Sequence, residues 1–188
     1  MPIAVWRLND DAADSDHIGP RLAERLVDIY TRRGEAILDF DDDAGLRDAA
    51  TTADRSYLPI TASADLAAFA HVAPPISLVS LRWPRPQDHA GIDDLFTACR
   101  SLLAREACII AIVRSAPNAH AFAHHEQVLR AAADTAGLAH ILQIVAISAP
   151  GHRDQYHYYT TQTDAKKTRN HVADEQTAVH IDLLVFSP

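Results

Sequence analysis

Cysteine is scarce in this sequence. Only two of the 188 residues are cysteines, Cys99 and Cys108, and no Cys-rich zinc-binding pattern is present. The two fall within a predicted helix and a predicted strand, where small buried thiols are common. We expect no disulfide between them and assign them no functional role.

Long apolar runs are absent as well. No stretch approaches the roughly 18 uncharged apolar residues that a membrane-spanning helix needs. The opening residues, MPIAVWRLNDDAADSDH, contain an acidic stretch where a secretory signal would be basic and then apolar. We therefore expect a cytoplasmic protein that does not contact a membrane.

Positive charge is in the minority. There are 17 Lys and Arg against 25 Asp and Glu, which gives a formal net charge of −8. Phosphate binding depends mainly on Lys and Arg, so this balance weighs against a nucleic-acid-binding surface. The densest positive segment contains Lys166, Lys167 and Arg169. It is either a solvated loop or a small local patch for nucleic acid.

Apolar residues make up 48% of the chain, enough for one sizeable core. The apolar spacing predicts an alternation of helices and buried strands, which is typical of an α/β protein with helices on both faces of a mostly parallel sheet. Residues 1–18 are acidic and aperiodic, and we expect a flexible leader there. Residues 19–188 are expected to form a single domain.

The end of the chain departs from this alternation. The predicted strands Leu138 to Ser148 and Thr177 to Phe186 follow each other with no clear helix between them. Strands joined in this way are expected to pair antiparallel. The polar stretch between them, 149–176, is interpreted either as a partner-binding loop or as a long hairpin excursion.

This order of elements resembles the class I S-adenosylmethionine-dependent methyltransferases, and among them the DNA methyltransferases that modify exocyclic amino groups. The resemblance implies a Rossmann-like methyltransferase fold, with a sheet of the seven-stranded type that ends in an antiparallel hairpin. The similar segments are mostly structural, and they read PRLAERLVDIYTRRGEAILDFDDDAG, DRSYLPI, LFTACRSLLAREACIIAIV and HIDLLVFSP.

The resemblance places a donor-binding loop directly after the first strand of residues 19–188. The family has D-P-F-x-G-S-G there, with glycines that let backbone approach the methionine part of the donor. This chain keeps Asp39 and Gly45 at the two ends of the loop and has FDDDA between them. The degenerate donor site therefore comprises Asp39, Asp41, Asp43 and Gly45. At the next strand end, Ile60 and Thr61 stand where the family has a ribose-binding acid.

The resemblance places the catalytic motif, D/N/S-P-P-Y/F, after the fourth strand. There it orients the target amine and stacks an aromatic ring on the flipped-out base. This chain has SLRWPRP instead. The motif-equivalent residues are Ser80, Arg82, Trp83 and Pro84, and we assign none of them as catalytic. Trp83 either stacks on a planar substrate or packs beneath a neighbouring helix.

Three functional hypotheses follow from these departures. The first is a catalytically degenerate methyltransferase-like domain that acts as a binding or regulatory module, without a cofactor, through a protein partner or a homodimer. The second is a small active methyltransferase in which Asp39, Asp43 and Gly45 still meet S-adenosylmethionine. The third is a DNA-binding remnant of a DNA methyltransferase that uses the basic segment.

His120 and His124 have a spacing that can share a metal ion, but we expect no metal site.

Overall fold

In the computed structural model, an eight-stranded sheet carries helices on both faces. The structure describes residues 1–10, 17–60, 65–66, 68–69, 75–85, 91–114, 119–151, 153–159 and 179–188. In chain order, the elements are β1 (Ile3–Leu8), α1 (Pro20–Tyr30), β2 (Ala36–Asp39), α2 (Ala44–Thr52), β3 (Ser56–Pro59), β4 (Ile76–Trp83), α3 (Ile92–Leu102), β5 (Leu103–Arg114), α4 (Ala119–Thr135), β6 (Ala139–Ser148), β7 (Gln155–Tyr159) and β8 (Val179–Ser187).

The strands lie in the order β3-β2-β4-β5-β8-β6-β1-β7. The pairs β2·β3, β2·β4, β4·β5 and β1·β6 are parallel, whereas β5·β8, β6·β8 and β1·β7 are antiparallel. The predicted α/β class is confirmed, and so is the antiparallel pairing of β6 with β8. The sheet has more strands than the seven-stranded type, because β1 and β7 extend it beyond β6.

Two apolar layers enclose the sheet. The face toward α1 and α2 holds Ile37, Leu78 and Ile110. The face toward α3 and α4 holds Leu38, Val79, Trp83 and Phe186, and Phe96 of α3 packs against Phe186. Because both faces are covered, all four residues of β2 are buried. Cys99 and Cys108 are buried free thiols, as the sequence indicated.

The expectation of a flexible leader over 1–18 is wrong for Ile3–Leu8. These residues form β1, which runs parallel to β6 and antiparallel to β7. Five of its six residues are buried, including Trp6 at 1% exposure. The partner strand β6 lies far along the chain, so nothing in the local sequence indicated this pairing. Residues 11–16 of the expected leader lie outside the described residues.

The polar stretch 149–176 contains a strand that the sequence did not predict. Its residues Gln155–Tyr159 form β7 at the edge of the described sheet. Three of these five residues are exposed and the other two are partly buried. Most of the remaining stretch, with the basic segment, lies outside the described residues, as does most of the helix predicted after β3. In the described part of the chain, no helix is long and apolar enough to cross a membrane.

Candidate functional site at the carboxyl ends of β2 and β4

The order of the parallel strands reverses between β2 and β4. The chain passes from β2 outward to β3 on one side, and from β4 to β5 on the other. In open α/β sheets, ligands bind at such a switch point, outside the carboxyl ends of the strands. Asp39 pairs in register with Ser80 at this edge. The two predicted site segments therefore meet here.

Asp39 is the last residue of β2 and is 1% exposed. Its carboxylate accepts hydrogen bonds from the backbone N–H groups of Asp41 (3.3 Å) and Asp43 (2.7 Å) and from the Tyr57 hydroxyl (2.6 Å). Burial raises the pKa of Asp39, and these three hydrogen bonds partly offset that rise. Burial and the Asp39 carboxylate in turn raise the pKa of Tyr57. Asp39 therefore shapes the loop that follows it.

Asp43 is the N-cap of α2 and is also 1% exposed. Its Oδ1 accepts from the Leu46 N–H at 3.1 Å, and its Oδ2 accepts from the Ile18 N–H at 2.9 Å. The same Oδ2 forms an ion pair with the Arg82 guanidinium and lies 3.6 Å from His17 Nδ1. Both oxygens of Asp43 are thus engaged by groups of the chain itself.

Asp41 lies between these two buried aspartates in the loop. Its Oδ2 accepts from the Arg82 backbone N–H at 2.6 Å, and its Oδ1 accepts from Arg85 Nη1 at 2.8 Å. Arg85 also donates to the Phe40 carbonyl at 3.3 Å and lies 5.7 Å from the centre of the Phe40 ring. Two arginines, Arg82 near the end of β4 and Arg85 just after it, therefore neutralise two aspartates of the loop after β2.

Gly45 makes a close contact, but with backbone of the same chain. A Cβ at this position would lie 2.6 Å from the carbonyl oxygen of Ile18. Ile18 is 3% exposed and belongs to the apolar layer beneath α1 and α2. The space beside Gly45 is thus filled by the backbone of Ile18, two residues before α1.

Side chains at the end of β4 lie on both faces of the sheet. Ser80 is buried at 3% exposure, and its Oγ has no hydrogen-bond partner among the described residues. Trp83 is buried at 2% exposure on the opposite face, where its Nε1 donates to His125 Nδ1 of α4 at 3.2 Å. A ring packed beneath α4 is not available for stacking on a substrate. Pro84 joins Trp83 through a cis peptide bond.

No acid occupies the described end of β3. Ile60 follows that strand, is 1% exposed and donates its backbone N–H to the Asp39 carbonyl at 2.8 Å. Thr61 lies outside the described residues. An apolar side chain at Ile60 cannot accept hydrogen bonds from ribose hydroxyls.

Metal coordination finds no support in the described part of the chain, where no three His, Cys, Asp or Glu side chains are grouped so as to hold an ion. The loop aspartates instead bind arginines and backbone N–H groups. The His120 side chain is outside the described residues, so the pairing of His120 with His124 is not tested.

The sequence did not identify the residues that form hydrogen bonds or ion pairs with the aspartates of the loop after β2. Tyr57, Arg85 and Ile18 come from β3, from the segment after β4 and from the residues before α1, and each reaches the loop only through the fold. The one available signal was the balance of charge, since SLRWPRP carries two arginines and the loop after β2 is rich in aspartates.

Comparisons with known proteins identify the fold. No protein-family model and no curated protein matches the sequence. A solved S-adenosylmethionine-dependent methyltransferase from Archaeoglobus fulgidus superposes with a TM-score of 0.53 at 8% identity, over 88% of this chain and 92% of that one. The chain has a methyltransferase fold. A release-factor-specific protein-(glutamine-N5) methyltransferase from Alicyclobacillus acidocaldarius also matches, with a TM-score of 0.42 at 12% identity, over 88% and 90% of the two chains.

The donor site that the sequence resemblance implied would lie at the edge formed by β2 and β4. The fold is therefore shared, whereas the residues at that edge form contacts with one another. At 8% identity, the similarity extends to the arrangement of helices and strands only.

Proposed function

We propose that this chain is a methyltransferase-like domain that does not transfer methyl groups and acts by binding a partner. The observation that carries the proposal is the closed network at the carboxyl ends of β2 and β4. Asp39, Asp41 and Asp43 are neutralised or hydrogen-bonded by the chain itself. Methyl transfer depends on orienting donor and acceptor, and side chains engaged in this way cannot do that.

The residues at this edge do not fit S-adenosylmethionine. The Ile18 carbonyl stands over Gly45, where the donor's methionine part would approach the backbone. Ile60 replaces the ribose-binding acid, and Trp83 is packed beneath α4. We therefore propose that the protein works without this cofactor. The segment similarities further suggest descent from DNA amino-methyltransferases.

Isothermal titration calorimetry with S-adenosylmethionine and S-adenosylhomocysteine tests this proposal. We expect no binding heat at millimolar ligand, and no rise in melting temperature, because a ligand that binds the native state must stabilise it. An active methyltransferase titrated in the same buffer provides the positive control. Micromolar binding of either compound would refute the proposal.

One observation favours the alternative of a small active methyltransferase. The Oγ of Ser80 is buried without a partner at the motif-equivalent position, and unsatisfied buried hydroxyls are uncommon in native proteins. In this alternative, Asp39, Asp43 and Gly45 would have to exchange their present contacts for the donor. The calorimetric titration separates the two functions directly.

A DNA-binding role is the least favoured proposal, because the net charge is −8. If the basic segment with Lys166, Lys167 and Arg169 bound DNA, retention on immobilised duplex would fall steeply with salt. We expect no retention even at 50 mM salt. Salt-sensitive retention that is lost in the triple Ala variant of this segment would instead support DNA binding.

A further inference from the structure

A cavity of about 380 Å³ lies at the amino ends of β2, β4 and β5, on the edge of the sheet opposite the candidate site. The end of α1 and the turn that leads into β2 form one wall, and the first residues of β5 form the other. Pockets for small molecules range from about 300 to 1,000 Å³. The cavity therefore has the size needed for a small organic ligand.

Irregular strand pairing opens the sheet at this cavity. Between two successive pairs of β4 with β5, β5 has the four residues 104–107, whereas β4 has only Ser77. The pairing of β4 with β2 also skips Ser77. Ser77 is 5% exposed, and within the described residues its hydroxyl makes one long hydrogen bond, to the Ala36 carbonyl at 3.4 Å. Bulges are rare between parallel strands and common beside functional sites, so this double irregularity favours a binding site.

The acids that line the cavity are both engaged by Arg32. Its backbone N–H donates to the Glu35 carboxylate at 2.7 Å, and the Glu35 N–H donates back to the Arg32 carbonyl at 3.0 Å. The Arg32 guanidinium forms an ion pair with Glu106 of β5 at 2.7 Å. These contacts fix the turn before β2 and connect it to β5, so the two walls of the cavity are held in place by the chain itself.

Two hydrogen-bond donors of the lining have no acceptor among the described residues. Arg105 is exposed and forms no ion pair with any of them. The Tyr30 hydroxyl makes no hydrogen bond with them, and burial raises the pKa of Tyr30, so the hydroxyl keeps its proton and can donate. Ile29, at 41% exposure, and Ala104 add apolar surface. The cavity thus combines one uncompensated positive charge and a phenol donor with an apolar wall.

We propose that this cavity binds a small organic carboxylate with an apolar body. The Arg105 guanidinium would bind the carboxylate, whose geometry matches its paired N–H groups, and the Tyr30 hydroxyl would donate to the same group. Ile29 and Ala104 would contact the apolar body. A monoanion fits better than a phosphate dianion, because a single unpaired guanidinium beside two carboxylates offsets only one negative charge. This site lies away from the candidate site and does not depend on whether that edge binds a methyl donor.

The test is a titration of the ¹⁵N-labelled full chain with 3-phenylpropionate, followed by nuclear magnetic resonance. The amide signals of Ile29, Tyr30, Ala104 and Arg105 should shift together, with a dissociation constant in the millimolar range expected of so small a ligand. The neutral amide 3-phenylpropionamide and inorganic phosphate should each bind at least about tenfold more weakly, since the first loses the charge-assisted hydrogen bonds and the second carries excess charge.

Variants then locate the binding. Arg105→Gln should weaken the affinity for 3-phenylpropionate by about threefold to tenfold, and Tyr30→Phe by about twofold to fivefold. The matched control is Arg153→Gln, which removes an exposed arginine beyond the carboxyl end of β6 and makes the same change in net charge as Arg105→Gln. It should leave the affinity unchanged.

Four results would each overturn the proposal: no shift of the cavity signals at about 20 mM ligand, equal binding of the amide, unchanged affinity in Arg105→Gln, or equal weakening in Arg153→Gln. The titration with S-adenosylmethionine reports on the other edge of the sheet, so its outcome remains distinguishable from this one.

Discussion

Gly45 is required by its close contact with the backbone of Ile18, two residues before α1. Replacing it with Ala places a methyl group 2.6 Å from the Ile18 carbonyl, and backbone on both sides limits relief. We expect Gly45→Ala to lower the free energy of unfolding by about 1 to 3 kcal/mol, as overpacking typically does. Urea denaturation measures this loss.

Gly91 provides the control for that substitution. It precedes α3, has a negative φ, and a Cβ there would meet no atom within 4 Å. Gly91→Ala should cost less than about 1 kcal/mol, the loss associated with a poorer N-cap residue. Equal losses at the two positions would show that the Ile18 contact is not what demands a glycine.

His140 gives the protein a specific sensitivity to acid. Burial and the nearby Arg130 charge lower its pKa to about 4, and its ring packs 4.9 Å from that of Phe186. An unfolded histidine takes up its proton near pH 6.5, so the native state loses stability as the pH falls from about 6.5 toward 4. That loss cannot exceed about 1.4 kcal/mol per pH unit for one proton.

The substitution His140→Phe should remove this part of the pH dependence while keeping an aromatic ring against Phe186. Relative to the variant, the wild type should therefore lose stability between pH 6.5 and pH 4 in urea titrations. His124→Gln, at an exposed position of α4, should leave the wild-type profile unchanged. Parallel profiles for wild type and His140→Phe would contradict the assignment.

The sequence was sufficient to place Asp39, Asp43 and Ser80 near one edge of the sheet, but it did not identify their partners. Motif positions after two strands identified Asp39, Asp43 and Ser80, and the carboxyl ends of neighbouring parallel strands lie at one edge of a sheet. Which side chains satisfy a buried aspartate depends on contacts between distant segments. The pairing of Asp43 with Arg82 and Ile18 therefore required the fold.

At the level of elements, the N-terminus of α1 is capped by a side chain that does not belong to the helix. Its N-cap position is Gly19, which has no side chain, and Asp10 supplies the carboxylate that accepts from the N–H groups of Arg21 (3.0 Å) and Leu22 (3.3 Å). Asp10 is 3% exposed and follows β1. One side chain thus links the first strand to the first helix.

Asp10→Ala should lower the free energy of unfolding by about 1 to 2 kcal/mol, the usual loss when a helix cap is removed. Asp134→Ala, at an exposed position of α4, should change it by less than about 0.5 kcal/mol. Thermal or urea unfolding of the two variants checks the difference. Similar small effects would show that α1 does not depend on this cap.

The strands β1 and β7 were not predicted from the sequence, for different reasons. β1 is a short apolar run that leads into an acidic stretch, and an isolated strand has no local signal for its partner. β7 reads QYHYY, at an edge of the described sheet, where side chains need not alternate between core and solvent. In contrast, β4 and β5 lie under helices on both faces, and their long apolar runs were sufficient to identify them.

At the scale of the whole molecule, β1 is part of the sheet's interior. Deleting residues 1–9 would remove the strand between β6 and β7 together with the buried side chains of Trp6 and Leu8. We expect the truncated chain to lose its cooperative unfolding transition in urea and its near-ultraviolet circular dichroism. A cooperative transition in the truncated chain would mean that β1 is dispensable for folding.

A milder variant serves as the comparison for that deletion. Trp6→Leu keeps the strand and an apolar side chain, so it should retain a cooperative transition with a lower midpoint, at a cost of about 2 to 4 kcal/mol. Together, the two variants separate the loss of one large side chain from the loss of the strand.

The position of β8 has a consequence for how the protein is made. The parts β3-β2-β4-β5 and β6-β1-β7 of the described sheet are joined through β8, which follows all the other strands in the sequence. During translation, β5 and β6 therefore each present an edge of unpaired backbone N–H and C=O groups until β8 leaves the ribosome. Such open edges invite aggregation, and the nascent chain should depend on chaperones until its last strand is in place.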